Sequence, residues 1–204
     1  MNCIVTLFDR NCVGYAPYAL QSFRAFSHIN GFELVYFDKL FLHGMEPPWH
    51  KLYAIKECFD RGYEWVFWAD VDSIFIASEP LMFDKQHTLV MNTDYWGICT
   101  SHFVIQNNYY NKGLLDTLLF LGDVKDESKF GEGRKWEQNT LKALLMHFNI
   151  KIKPFPANFV SEPKFNRTES NTQFLHFAIT SHDERNVLMP AYYSHYYNEN
   201  PDKL

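Results

Sequence analysis

Cysteine is scarce in this chain. The four present, Cys3, Cys12, Cys58 and Cys99, form no CxxC pair and no zinc-like spacing. They read as reduced thiols in a cytoplasmic protein and exclude a disulfide framework. Positive charge is not in excess either. The formal net charge is −5, which removes the electrostatic case for nucleic acid. No apolar run is long enough to cross a membrane. Met1 to Phe8 runs directly into a strand pattern and lacks the regions of a signal peptide. The sequon Asn166-Arg167-Thr168 therefore has no secretory setting. No repeat, low-complexity tract or linker divides the chain, so residues 1–204 read as a single domain. What is abundant is core-forming material. Apolar residues make up 47% and aromatic residues 18%, ample for one good core.

Strand and helix patterns alternate. Ile4 to Phe8 is a strand pattern. A helix follows, with Pro17 near its start, Leu20, Phe23, Phe26 and Ile29 at helical spacing, and Gly31 as its stop. Glu33 to Phe37 is a second strand. Trp49 to Arg61 is a second helix, with Leu52, Ile55 and Phe59 on one face and Gly62 beyond it. Glu64 to Ala69 is a third strand. Thr88 to Asn92, Phe103 to Gln106 and Gln173 to Phe177 read as further strands, and Leu114 to Leu121 and Glu137 to His147 as helices. Parallel neighbours need crossover connections, so this order predicts an α/β fold with a mostly parallel sheet flanked by helices. Ligands of such sheets bind beyond the carboxyl ends of the strands.

At such an end stands Asp70-Val71-Asp72, after the apolar run Trp65-Val66-Phe67-Trp68-Ala69. Strand alternation would point Asp70 and Asp72 to one side. Two carboxylates leaving a buried strand repel each other unless a cation compensates. Oxygen ligands suit a hard divalent ion that also grips phosphate. A solvated turn with two Asp is the plain alternative. Two enzyme classes fit a metal-bound phosphate ester here. One is transfer of a sugar from a nucleotide diphosphate. The other is a phosphohydrolase of the haloacid-dehalogenase type, with Asp70 as nucleophile and Gly122-Asp123 as its second acidic motif. That family, however, opens with its Asp-x-Asp on the first strand.

Five blocks in order then carry a resemblance. Trp49-His50-Lys51-Leu52, followed after a helix by Glu64-Trp65-Val66-Phe67-Trp68-Ala69-Asp70-Val71-Asp72, resembles the W-x-K-L … E-W-x-x-W-x-D-x-D stretch of the galactosyl- and xylosyltransferase family. Yeast alpha-1,2-galactosyltransferases, mannan polymerase subunits and xyloglucan xylosyltransferases belong to it. The segment Asp94 to Asn107 is similar to its D-x-x-x-hydrophobic-N-T-G-x-F block. Leu114-Leu115-Asp116, Trp136 to Leu141, and Phe174-Leu175-His176-Phe177-Ala178 resemble its Leu-Asp, acidic-Gln-x-x-Leu and His-Phe-x-Gly blocks. The chain departs from the pattern at Cys99 for Asn, Ser101 for Gly, Gln106 for Arg and Ala178 for Gly. The Lys expected five residues after that last position is also missing, and Ser181 and His182 lie there.

The resemblance implies the GT-A fold of nucleotide-diphospho-sugar transferases, with a Rossmann-like sheet. It implies a nucleotide-sugar donor (a UDP-sugar first), a glycan or other hydroxyl acceptor, and manganese or magnesium. It places Asp70, Asp72 and His176 on the metal. Gln138 falls beside the reacting carbon, and Glu137 on sugar hydroxyls or as the nucleophile of a double displacement. Lys51, Asp70, Asp94 and Ser101 fall on the donor, and Thr6 and Phe8 beside its base. It implies retention of anomeric configuration. Each residue also has a plainer reading: a core histidine for His176, a first-turn acid for Glu137 and a solvated lysine for Lys51. A binding module without catalysis is the non-enzymatic alternative. The aromatic run Ala191 to Tyr197 is expected to pack as a tail onto the domain.

Overall fold

The computed structural model describes residues 1–42, 44–94, 97–123, 137–163 and 172–198. The sequon and the motif residues Trp96 and Trp136 lie outside the described residues. β1 (Asn2–Leu7) leads through α1 (Ala16–Asn30) to β2 (Glu33–Phe37), then through the 3-10 turn Pro47–Trp49 and α2 (His50–Asp60) to β3 (Trp65–Ala69). These strands pair in parallel with β1 in the middle. β5 (Leu89–Asp94) and β6 (Gly97–Gln106) form a hairpin, and β6 lies antiparallel against β3. β7 (Lys153–Pro154) extends the edge. The sheet order is β2-β1-β3-β6-β5-β7, with only β6 reversed, so the expected mostly parallel α/β fold is the one observed. A small second sheet holds β4 (Ser73–Phe75), β9 (Phe174–His176) and β8 (Val160–Ser161), in the order β4-β9-β8. The other helices are α3 (Tyr109–Asp123), α4 (Glu137–His147) and α5 (His182–Tyr193), the last running into a π turn, Ser194–Asn198.

β3 explains the aromatic run. All five of its residues are buried, because both faces of the sheet are covered. Trp65, Phe67 and Ala69 join the core shared with α1, α5 and the small sheet. Val66 and Trp68 join the opposite core, with Leu52 and Ile55 of α2, Leu115 and Leu118 of α3, and Leu141 of α4. Phe67 stacks on Phe26 at 5.0 Å and on Phe174 at 5.4 Å, which ties the main sheet to α1 and β9.

Local signals set the ends of α1. Pro17 sits in its first turn, where no N–H is needed. Gly31 closes it at φ 63°, donating its N–H to Ser27 O. Gly122 answers to packing instead. A Cβ there would lie 2.6 Å from the Trp49 ring, so only glycine lets α3 approach that ring. Gly122 is thus a helix-packing residue. The C-terminal aromatics do pack onto the domain: Tyr193 and Tyr197 are buried, and Tyr197 Oη donates to Phe75 O at 2.6 Å.

Candidate active site

β3 ends at Ala69, so Asp70 and Asp72 lie on the bend between β3 and β4. Strand alternation is not what brings them together. The bend is fixed by its own backbone: Asp70 N–H donates to Ser101 O and Phe177 N–H donates to Asp72 O, both at 2.9 Å. Val71 turns into the core between them. The β4–β9 pairing sets Ser73 opposite His176 and delivers the imidazole to the carboxylates. Asp70, Asp72 and His176 each place one possible ligand atom within 4.8 Å of the others. His176 Nε2 lies 3.3 Å from Asp72 Oδ1 and 3.9 Å from Asp70 Oδ2.

The two carboxylates are electrostatically unequal. Burial pushes the Asp72 carboxyl up, but His176 and Arg185 outweigh it and hold it well below the ordinary range. Burial, aided by the Asp72 charge, lifts the Asp70 carboxyl above its ordinary value despite Lys51. Burial disfavours charge on His176, yet the nearby Asp72 raises the imidazole above its usual value. With His176 neutral, the three groups themselves carry two negative charges. Two carboxylates and one imidazole, opening on a cleft, suit manganese or magnesium with positions left for phosphate oxygens.

A second polar group lies beside the first. Lys51 Nζ contacts Asp70 Oδ1 at 3.2 Å, Glu137 Oε1 at 2.9 Å and Thr100 O at 3.1 Å. Burial would lower the lysine, but Asp70 and Glu137 raise it above its ordinary value. Lys51 borders the cleft, as expected, but its ammonium is spent on two carboxylates rather than free for a phosphate. Glu137 is equally committed: its carboxylate is buried, and Thr100 Oγ1 donates to it at 2.6 Å. Gln138 Oε1 accepts from Thr100 N–H at 2.9 Å, which leaves its NH2 group as the end available to a ligand. Trp68 Nε1 donates to Asp70 Oδ1 at 2.6 Å, holding that oxygen away from the triad.

These residues border one cleft of about 790 Å³. Phe8, Lys51, Asp70, Asp72, Asp94, Ser101, Glu137, Gln138 and His176 all line it. Thr6 does not. Its side chain is fully buried, while the next residues, Leu7 and Phe8, reach the rim. Ser101 Oγ is within 3.2 Å of Cys99 Sγ and 3.0 Å of His102 Nδ1. His102 is buried edge-on to His176, with ring centroids 5.5 Å apart. Sequence reasoning missed Asp9, Cys12, Tyr15, His182 and Arg185, all on the cleft. For α5 a signal existed: Ser181-His182-Asp183-Glu184 is a capping box, and the structure forms it.

Among the described residues, no helix is long and apolar enough to cross a membrane. No protein-family profile matches the chain, and no curated protein matches it. Solved structures do. A glycosyltransferase involved in glycosylation of the major capsid of PBCV-1 superposes with a TM-score of 0.73 at 17% identity, over 93% of this chain and 99% of that one. The glycosyltransferase GlyE of Streptococcus pneumoniae TIGR4 gives 0.56 at 12% identity, over 97% of this chain. Its apo form gives 0.54 at 12% identity, also over 97%. The chain spans 63% of the length of those pneumococcal structures. At these identities the likeness concerns the fold, and the fold is the GT-A type that the sequence implied.

Proposed function

We propose that this chain is a metal-dependent glycosyltransferase. It moves a sugar from a nucleotide-diphosphate sugar, a UDP-sugar first, to a hydroxyl of a glycan acceptor, with retention of configuration. The observation that carries this reading is convergence. Asp70 and Asp72 after β3, His176 at the end of β9 and Gln138 at the start of α4 meet in one cleft of a glycosyltransferase fold.

In this reading Asp70, Asp72 and His176 hold manganese or magnesium, which supplies Lewis-acid stabilisation of the departing diphosphate. The chain's own groups do the rest. Asp72, kept ionised by His176 and Arg185, offers the ion an anionic oxygen. Lys51, in contact with both, holds the Asp70 and Glu137 carboxylates in place. Gln138, steered through its carbonyl by Thr100, offers its amide N–H groups beside the anomeric carbon. Asp94 and Ser101 face the donor sugar and diphosphate, and Phe8 flanks the base. Glycosyl transfer passes through an oxocarbenium-like state, whose positive charge the leaving diphosphate offsets while the Gln138 N–H groups hold oxygens of the sugar or phosphate. With Glu137 tied to Lys51 and Thr100, a front-face route is favoured, in which the leaving phosphate takes the acceptor's proton. Four free cysteines suit a cytoplasmic setting for this chemistry.

The test is a panel of UDP- and GDP-sugars with and without Mn2+, following donor hydrolysis and transfer. Metal-dependent turnover of one donor, lost in Asp72→Asn, supports the reading. Phosphatase activity lost in Asp70→Asn would instead place the chain with the phosphohydrolases. Donor binding with no turnover on any acceptor would leave a binding module.

A further inference from the structure

Arg185 lies in the first turns of α5 and is held on several sides. Its Nε donates to Phe177 O at 3.0 Å and to Thr180 Oγ1 at 3.3 Å. Its Nη2 donates to Ala178 O at 3.2 Å and meets Asp72 Oδ2 at 2.9 Å. The Tyr15 ring lies 5.9 Å from the guanidinium carbon, and Tyr15 Oη is itself 3.1 Å from His182 Nδ1. The side chain is only 14% exposed, yet it borders the cleft. Two backbone carbonyls anchor it, so it stays where it is whatever binds. Among the described residues its Nη1 has no protein partner, which leaves one edge of the fork for a ligand.

Charge counting gives this fixed cation a consequence. The linked cluster holds Asp70, Asp72 and Glu137 against Lys51 and Arg185, a net charge of −1 with His176 neutral. A divalent ion alone would turn this partly buried site to +1, and like charges in such a place interact strongly. A diphosphate removes that excess. Without Arg185 the site would carry −2, and the ion alone would balance it. We propose that Arg185 is a fixed second cation of the site, disfavouring a divalent ion by itself and making its loading conditional on the nucleoside diphosphate. The free edge of its planar fork meets the diphosphate oxygens. This inference rests on the reading of Asp70, Asp72 and His176 as a metal centre.

Mn2+ binding to the whole chain, measured calorimetrically with and without UDP, tests it. Arg185→Gln is expected to bind Mn2+ alone about tenfold more tightly than the wild type, and to gain less from added UDP. Arg185→Lys, which keeps the charge but not the fork, is expected to bind Mn2+ alone as weakly as the wild type. A folded Arg185→Gln that binds Mn2+ alone no better than the wild type overturns the inference, as does a Lys variant that matches the Gln variant. Should the Gln variant not fold, the guanidinium 15N resonance of Arg185 in the wild type decides. It is expected to shift on adding UDP together with Mg2+, and a signal that stays unmoved there overturns the inference. If Mn2+ binds neither the wild type nor Arg185→Gln, with or without UDP, the metal centre itself is wrong. Mn2+ binding that depends on Asp72 but ignores Arg185 removes only the present inference.

Discussion

At the scale of single residues, the site is a set of charges that stand or fall together. Lys51 is buried between Asp70 and Glu137. Removing one partner of a buried ion pair leaves an uncompensated charge, which costs far more than the pair contributes. Lys51→Met is therefore expected to lower unfolding stability by about 3–5 kcal/mol in urea titration. Adding Glu137→Gln should recover part of the loss, because one stranded carboxylate is then neutral. Asp72→Asn removes an anionic oxygen donor, and Mn2+ affinity should fall roughly 100-fold in the same calorimetry. Asp70, Asp72 and His176 were visible in the sequence through motif spacing. Arg185 was not, because no local pattern announces it. Its place beside Asp72 follows from where α5 docks. Lys51 was found, but its contact with Glu137 was not legible, since only the fold brings the two together.

Elements are placed by caps, glycines and one buried histidine. His50 is fully buried at the start of α2. Its Nδ1 accepts Phe41 N–H at 2.9 Å and its Nε2 faces Met45 O at 3.2 Å, so the neutral ring fastens the loop that brings Leu40 and Glu46 to the cleft. Burial holds His50 below its ordinary value, against a smaller pull from Met45 O. The unfolded chain then binds more protons below about pH 6.5, so stability should fall as pH drops through that value. His102 acts in the same direction, its charged form disfavoured by burial and by His176. The contribution of His50 alone is the difference between the melting-temperature profiles of the wild type and His50→Gln. If the two profiles run parallel from pH 8 to pH 5, the buried ring is not the cause. Gly122→Ala tests a packing limit. The added methyl has no room beside Trp49, and a loss of about 1–3 kcal/mol is expected in the same urea titration. β2 and α4 fall on the bounds expected from the sequence. β4, β8 and β9 were not read as the second sheet they form, since strands of two or three residues carry no usable period. α5 was missed because few of its residues are buried and Pro190 interrupts its pattern.

The whole molecule is a sheet between two cores, and β3 belongs to both. Phe67 reaches α1 through Phe26 and the small sheet through Phe174. Phe67→Ala is expected to cost about 3–5 kcal/mol and to weaken Mn2+ binding as well, because β9 carries His176. Loss of stability with metal affinity unchanged would mean that the small sheet holds its place without this ring.

By itself the sequence determined the α/β order, the two-sided burial of β3 and the pair of carboxylates at its end. Those depend on neighbours along the chain: helical spacing, terminal glycines, and an apolar run too long for a surface strand. Tertiary structure alone decided which charges meet. Lys51 with Glu137, Asp72 with His176, and Arg185 with Asp72 are contacts across the fold. A salt bridge has no period in sequence, and forms only where packing brings two side chains within a few ångströms of each other.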